Sequence, residues 1–138
     1  MFGDFNVVSF DVPHDGTENR GFMIRADDER IVYVTDAEMS RYVFKQYKPS
    51  VLAVECNHED SLMDTEAVKY SHSIRGHMAL STCKDFITAN ATDALKAVIL
   101  IHASEDSLDW DKAVKEVQSI VPDTVKVAMA VKGTAVEI

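Results

Sequence analysis

Cysteine is scarce in this chain, in which Cys56 and Cys83 are the only thiols among 138 residues. Two cysteines cannot form the dense disulfide framework that holds small secreted domains together, and their spacing fits no zinc motif. We therefore expect both thiols to be reduced and to lie in or near the core. Reduced thiols favour a cytoplasmic location.

Long apolar runs and basic charge are also lacking. No run approaches the ~20 apolar residues of a membrane-spanning helix, and the first residues lack the basic and apolar regions of a signal peptide. Lysine and arginine number 14 against 23 acidic residues, which gives a net charge of -9. This balance argues against a broad basic surface for nucleic acid or an anionic membrane. A local phosphate site stays open, because bound divalent metals would reverse the local field.

The remaining composition is that of a single domain over residues 1–138, because 46% of the residues are hydrophobic and the length can bury a core of its own. Residues 51–54 form an apolar run without alternation, which is typical of a strand covered on both faces. Hydrophobic periodicity predicts strands at 7–12, 21–25, 30–35, 50–55, 97–101, 124–131 and 134–138. It predicts helices at 37–47, 62–70, 81–89 and 110–120. A β-meander followed by alternating helices and strands predicts an α/β layered domain.

Ionisable side chains follow the predicted strands or lie in the loops between them, and they are rich in metal-ligand types. Because ligand sites in open α/β sheets collect at strand ends, we expect them to converge at one rim. Imidazole with carboxylate suits zinc, manganese or iron, and such ions can activate water and clamp a phosphoryl group. The candidates are His14, Asp15, Asp36, Glu55, Asn57, His58, Glu59, Asp60, His77 and His102.

Some of these residues, and lone histidines in general, also have a structural interpretation when they are taken alone. Asp36 could be only the N-cap of the helix predicted at 37–47. His102 could be a strand-end histidine bonded to the backbone, and His72 fits a surface position. From spacing alone, ordinary structural roles for these residues are therefore favoured over a metal site.

Five motifs in this order resemble the later part of the metallo-β-lactamase-fold hydrolases. Within that superfamily, the motifs look like those of the small bacterial and phage hydrolases related to RNase J and tRNase Z. The motifs span nearly the whole chain. They are VPHDGTENRGF (12–22), VTD (34–36), ECNHEDSLM (55–63), RGHMA (75–79) and LIHAS (100–104).

The resemblance implies a role for each matched residue. His14 would bind a first metal, Asp36 would bridge two metals, and His102 would bind the second. His77 would orient or protonate a leaving oxygen, so that His77 and Asp36 are the catalytic candidates. The residues expected to hold the ligands in place or to contact substrate are Glu55, Asn57 and His58. The implied metal is zinc, with manganese or iron as alternatives, and the implied reaction is phosphodiester hydrolysis of a nucleic acid or nucleotide by metal-bound hydroxide.

The sequence departs from the family in one large respect, because it contains no His-x-His-x-Asp-His motif. A smaller departure is that Met78 and Ala79 follow His77, where the family has Leu-Ser-Asn. The implied fold is therefore half of an αββα sandwich, a mixed β-sheet with helices on one face. Its inner face would need a homodimer or a separate N-terminal-half polypeptide to cover it, or the chain is a fragment.

We expect the isolated chain to be inactive or weakly active. One alternative is a truncated, inactive oligomerising or binding module. Another is a small-molecule binder that uses the loop at 55–60 without metal.

Overall fold

The structure, a computed structural model, describes residues 4–63, 75–133 and 135–138. In these parts of the chain six strands form one sheet in the order of the sequence. The strands are β1 (Asn6–Asp11), β2 (Arg20–Ala26), β3 (Glu29–Val34), β4 (Val51–Glu55), β5 (Ala97–Ile101) and β6 (Lys126–Met129). The helices are α1 (Leu80–Asn90) and α2 (Trp110–Gln118). The α/β class and the mixed sheet predicted from the sequence are confirmed.

The sheet changes from antiparallel to parallel at β3. Strands β1, β2 and β3 form an antiparallel meander, whereas β3, β4, β5 and β6 run parallel. The β2–β3 hairpin closes through Asp27 and Asp28, and Asp27 has a φ of 52°, a left-handed conformation that aspartate tolerates. The parallel arrangement brings the carboxyl ends of β3, β4 and β5 to one edge of the sheet.

One face of the sheet carries the hydrophobic core. Alternate residues of β3, β4 and β5 point to this face because side chains alternate along a strand. They pack against both helices in one buried cluster, and among the described residues the sheet contributes to that cluster from this face alone. Fully buried members are Val32, Val34, Leu52, Val54, Val98, Leu100, Cys83, Ile87, Ala113 and Val117. Cys56 and Cys83 are both free and buried, as predicted.

The opposite face is apolar but unevenly exposed. Val51, Ala53 and Ala97 on this face are buried, whereas Tyr33 is 37% exposed. Ile99 is half-buried. Cover by a second copy of the chain or by a separate polypeptide stays a prediction.

The prediction of a helix at 37–47 is wrong. Only Lys45–Tyr47 forms a short 3₁₀ turn, and residues 37–44 are irregular. The backbone N–H groups of this segment have distant partners, since that of Ala37 donates to Glu55 Oε2 at 2.7 Å and that of Phe44 donates to Asn90 Oδ1. Asp36 is consequently not a helix N-cap.

Other boundaries differ by smaller amounts. The helix predicted at 81–89 begins at Leu80 and has no side-chain cap. The strand predicted at 124–131 is shorter, and residues 135–138 are not in a strand. The helix predicted at 62–70 falls mostly on residues 64–70, outside the described residues, as does residue 134. No helix within the described residues is long and apolar enough to cross a membrane.

Candidate metal centre

The candidate centre lies at the edge of the sheet where β3, β4 and β5 end. Asp36 follows β3 with a φ of 48°, and His102 follows β5 with a φ of 55°. This left-handed conformation costs a residue other than glycine roughly 1–2 kcal/mol, so it persists only where contacts with neighbouring residues stabilise it. Here the Asn19 side chain donates to the backbone oxygens of Thr35 and Asp36, and Asn57 Nδ2 donates to the His102 backbone oxygen at 2.8 Å.

Three potential ligands come together at this edge. One ligand atom each of Asp36, His77 and His102 can be chosen so that all three lie within 4.8 Å of one another. The His77 and His102 ring centroids are 4.9 Å apart, and His102 Nδ1 lies 3.4 Å from Asp36 Oδ1. The side chains of Asp36 and His102 are 44% and 43% exposed, so an ion could reach them from solvent. A carboxylate with two imidazoles is a donor set that zinc binds in proteins.

Glu55 connects the two histidines from beneath. Its side chain is fully buried, and its Oε1 lies 2.7 Å from His77 Nδ1 and 3.0 Å from His102 Nδ1. Its Oε2 accepts the N–H of Ala37. A carboxylate that accepts Nδ1–H fixes the tautomer of an imidazole and leaves Nε2 for a metal. Glu55 can therefore orient both rings at once.

The charge of Glu55 is costly in the absence of a cation. Burial raises the pKa of Glu55 to about 8, and the neighbouring Asp36 carboxylate acts in the same direction. The hydrogen bond from the Ala37 backbone opposes this rise in pKa. A cation held by the neighbouring histidines would favour the ionised carboxylate, since opposite charges stabilise each other.

His14 lies beside this group and is not one of its three members. Its Nδ1 is 2.7 Å from the Gly76 backbone oxygen, and its ring centroid is 5.2 Å from that of His77. The N–H of Asp15 donates to the Arg75 backbone oxygen at 3.0 Å, so two contacts tie the His14 loop to the segment before His77. Bonding of Nδ1 to a carbonyl makes Nδ1 the protonated nitrogen. The structure thus brings Asp36 and His102 together with His77, and it places His14 next to them.

Asn57 and His58 take different positions. Asn57 lies against the His102 loop, where its backbone oxygen also accepts the N–H of Ser104 at 3.0 Å. The His58 ring is only 2% exposed, and burial lowers its pKa. A buried ring fits a packing role better than a contact with substrate.

Asn19 is the supporting residue that the sequence did not reveal. Its side-chain amide donates hydrogen bonds to Thr35 and Asp36, which are 16 and 17 positions away in the sequence, on the far side of the β2–β3 hairpin. An asparagine in a polar loop carries no sequence signal for such a contact. Only the pairing of β1, β2 and β3 brings it to Asp36.

Comparisons with known proteins give a fold. No protein-family model matches the sequence. No curated protein matches it in sequence either. The chain is similar to the metallo-β-lactamase fold protein YhfI from Bacillus subtilis, with a TM-score of 0.71 and 18% identity over 97% of this chain and 50% of that one. It is also similar to Zn²⁺-bound PqqB from Methylobacterium extorquens, with a TM-score of 0.60 and 14% identity over 99% of this chain and 51% of that one.

A third similar structure is unliganded yeast PDE1, with a TM-score of 0.60 and 13% identity over 94% of this chain and 45% of that one. The chain therefore spans about half the length of these solved structures. At these identities the similarity establishes the fold alone. The chain has the architecture of half of a metallo-β-lactamase fold, as the sequence motifs predicted.

Proposed function

We propose that this chain supplies half of the active site of a metal-dependent hydrolase of the metallo-β-lactamase superfamily. The observation that carries the proposal is the grouping of Asp36, His77 and His102 above the buried carboxylate of Glu55. We propose zinc as the metal, with manganese or iron as alternatives. The donor set supports this choice, and PqqB, a structure with the same fold, contains Zn²⁺.

The residues of this chain would divide the work of the site. Glu55 holds Nδ1 of His77 and His102, so their Nε2 atoms are the ones available to bind an ion. The Asp36 carboxylate would supply a negatively charged ligand. Because a carboxylate has two oxygens, Asp36 could also contact a second ion. We propose His14 as an additional ligand, because its ring adjoins that of His77. A divalent ion bound there would act as a Lewis acid, and it would lower the pKa of a water molecule bound to it toward neutral pH.

His77 has two candidate roles. The resemblance to the hydrolase family assigns it to the leaving oxygen, whereas the geometry groups it with the ligands. The two roles predict different metal binding, since loss of a ligand weakens the metal complex and loss of a proton donor does not. Metal affinity of His77→Ala therefore separates them.

We propose phosphodiesters of nucleic acids or nucleotides as the substrate class, on the strength of the motif resemblance. The net charge of -9 makes the metal centre the main attraction for a phosphate at this edge of the sheet. Because the sequence contains no His-x-His-x-Asp-His motif, the chain alone offers too few ligands for two ions. Full activity would need a further polypeptide segment that brings those ligands, and the isolated chain would be weak or inactive.

Zinc titration of the metal-free chain tests the proposal. We expect binding by calorimetry that Asp36→Ala and His102→Ala each abolish or strongly weaken. Asp93→Asn is the matched control, because Asp93 is an exposed carboxylate whose recorded partner is Lys48. A folded wild-type chain that takes up no zinc, manganese or iron would overturn the proposal and favour a non-enzymatic binding module.

A further inference from the structure

A row of nitrogen-rich side chains crosses the three antiparallel strands at the end far from the candidate metal centre. Asn6 of β1 pairs with Arg25 of β2, and Arg25 pairs with Arg30 of β3. The two arginines are thus direct cross-strand neighbours on the same face. Like charges in this position destabilise a sheet.

The chain contains 23 acidic residues, but none of those that the structure describes neutralises these two arginines. Within the described parts of the chain, neither Arg25 nor Arg30 forms an ion pair. Arg25 Nε donates to the backbone oxygen of Asp27 at 3.3 Å, which leaves its two terminal nitrogens for another acceptor. Arg20 behaves differently in the same strand, because it pairs with Asp11 at 3.0 Å and Glu18 at 2.9 Å.

The neighbouring carboxylate is already engaged. Glu29 immediately precedes Arg30 in β3, but its carboxylate pairs with Lys96. Among the described residues, no carboxylate therefore offsets the repulsion between Arg25 and Arg30.

The two arginines line a cavity of about 270 Å³. Its other walls are Asn6, Met23 and Tyr47, and none of the described residues that line it is acidic. Tyr47 ends the short 3₁₀ turn and is 46% exposed, so one part of its ring is open to a ligand. The volume is slightly below that of typical small-molecule sites, which run from about 300 Å³ upwards, so the ligand would be small.

We propose that this cavity is a binding site for an organic phosphate that carries a planar ring. The planar guanidinium of arginine matches phosphate oxygens two at a time, and two such groups side by side suit one phosphate. The Asn6 amide can donate a further hydrogen bond, and the Tyr47 ring with the Met23 thioether offers a surface for an aromatic group.

The site is separate from the candidate metal centre. Arg30 lies at the start of β3 and Asp36 follows the end of that strand, so the two positions are about 20 Å apart at ~3.3 Å per residue. Binding at the arginines therefore requires no metal and no hydrolase activity. A chelator in the buffer removes any contribution of the metal centre to phosphate binding.

Calorimetry and thermal unfolding in the presence of a chelator test this site, with inorganic phosphate and phenyl phosphate as probes at matched ionic strength. We expect both probes to bind the wild-type chain and raise its Tm, with phenyl phosphate the tighter of the two. Arg25→Gln and Arg30→Gln should each weaken binding by at least about tenfold, the usual cost of losing a hydrogen bond to a charged group. Arg20→Gln is the matched control and should bind both probes like the wild type.

Two further measurements make the outcome decisive. Without a probe, Arg25→Gln should unfold at the same Tm as the wild type or higher, because it removes the repulsion with Arg30. Tyr47→Ala should reduce the affinity for phenyl phosphate to that for inorganic phosphate. The proposal is overturned if the wild type binds neither probe, or if Arg25→Gln and Arg20→Gln bind phosphate equally well. Retention of the phenyl preference in Tyr47→Ala would overturn the assignment of a ring-bearing ligand.

Discussion

Glu55 Oε1 lies 2.7 Å from His77 Nδ1, and this contact joins the last residue of β4 to the residue that precedes α1 by three positions. The carboxylate is fully buried, whereas the His77 side chain is 13% exposed. The inner end of the ring is thus fixed by the sheet while its outer end faces the edge where Asp36 and His102 lie.

Replacement of Glu55 by glutamine should weaken zinc binding although Glu55 is not one of the three proposed ligands. The amide cannot act as a charged acceptor for two imidazoles, and loss of such a supporting group typically costs about 10–100-fold in metal affinity. Calorimetric titration with zinc measures the effect. Glu59→Gln is the control, because Glu59 pairs with Lys112. This variant should bind zinc like the wild type. Equal affinities of the two variants would contradict the orienting role of Glu55.

Replacement of Asp36 by glycine should stabilise the metal-free fold and abolish zinc binding. Glycine adopts a φ of 48° freely, and relief of the backbone conformation exceeds the greater backbone entropy of unfolded glycine, so the free energy of unfolding should rise by up to about 1 kcal/mol. Asp27→Gly is a matched control, because Asp27 has a φ of 52° in the β2–β3 turn. It should give a similar gain in urea unfolding and leave zinc binding intact. A loss of stability in Asp36→Gly would show that the Asp36 side chain is structural.

The buried His58 ring should make the fold sensitive to acid. Burial lowers the pKa of His58 in the folded chain, so below pH ~6.5 the unfolded chain binds a proton that the folded chain excludes. The contribution of His58 to the free energy of unfolding should therefore hold above that pH and decline as the pH falls, by at most about 1.4 kcal/mol per unit. The raised pKa of Glu55 acts in the opposite direction in both chains. The measured quantity is therefore the difference in urea unfolding between the wild type and His58→Gln from pH 7.5 to 5.5, with a chelator present. The wild type should lose stability relative to the variant as the pH falls.

Should His58→Gln fail to fold, a proton NMR titration of the wild-type ring gives the same information. The His58 signal should titrate at a lower pH than that of an ordinary imidazole. A ring that titrates at the usual pH would contradict the prediction.

The irregular segment after Asp36 should depend on Asn90. Its side chain accepts the N–H of Phe44 and donates to the Phe86 backbone oxygen at 2.7 Å, all in buried surroundings. Asn90→Ala should cost about 1–3 kcal/mol, because it leaves the buried Phe44 N–H without an acceptor. Chemical denaturation measures the loss. Thr92→Ala serves for comparison, since Thr92 Oγ1 accepts only a local N–H bond from Ala94 and its loss should cost much less.

Much of the sheet could be predicted because its signals are local. Alternation of apolar residues placed β1, β2 and β3 within a residue or two, and the apolar run at Val51 placed β4. The amphipathic pattern that starts at Trp110 likewise gave α2. The segment at 37–47 failed for the opposite reason, because its N–H groups are bonded by Glu55, Asn90 and Pro13, which no local pattern reveals.

The candidate site divides in the same way. Asp36, Glu55 and His102 could be found because each lies at or just after the end of a strand, and parallel neighbours bring such positions together. The proximity of His77 to them, and the place of His14 beside it, depends on contacts with Gly76 and Arg75 across the fold. The sequence order of these residues does not contain that information.

The position of Asp36, Glu55 and His102 at the ends of three adjacent strands also has a kinetic consequence. Their relative spacing is set by the backbone hydrogen bonds of β3, β4 and β5, whose central residues are the most deeply buried in the sheet. Separation of these three groups would require the sheet itself to open, which is among the rarest fluctuations of a folded domain. Escape of a bound ion from this edge would therefore follow motions of the His77 segment or of exposed side chains. Amide exchange in β4 should be slow whether or not an ion is bound.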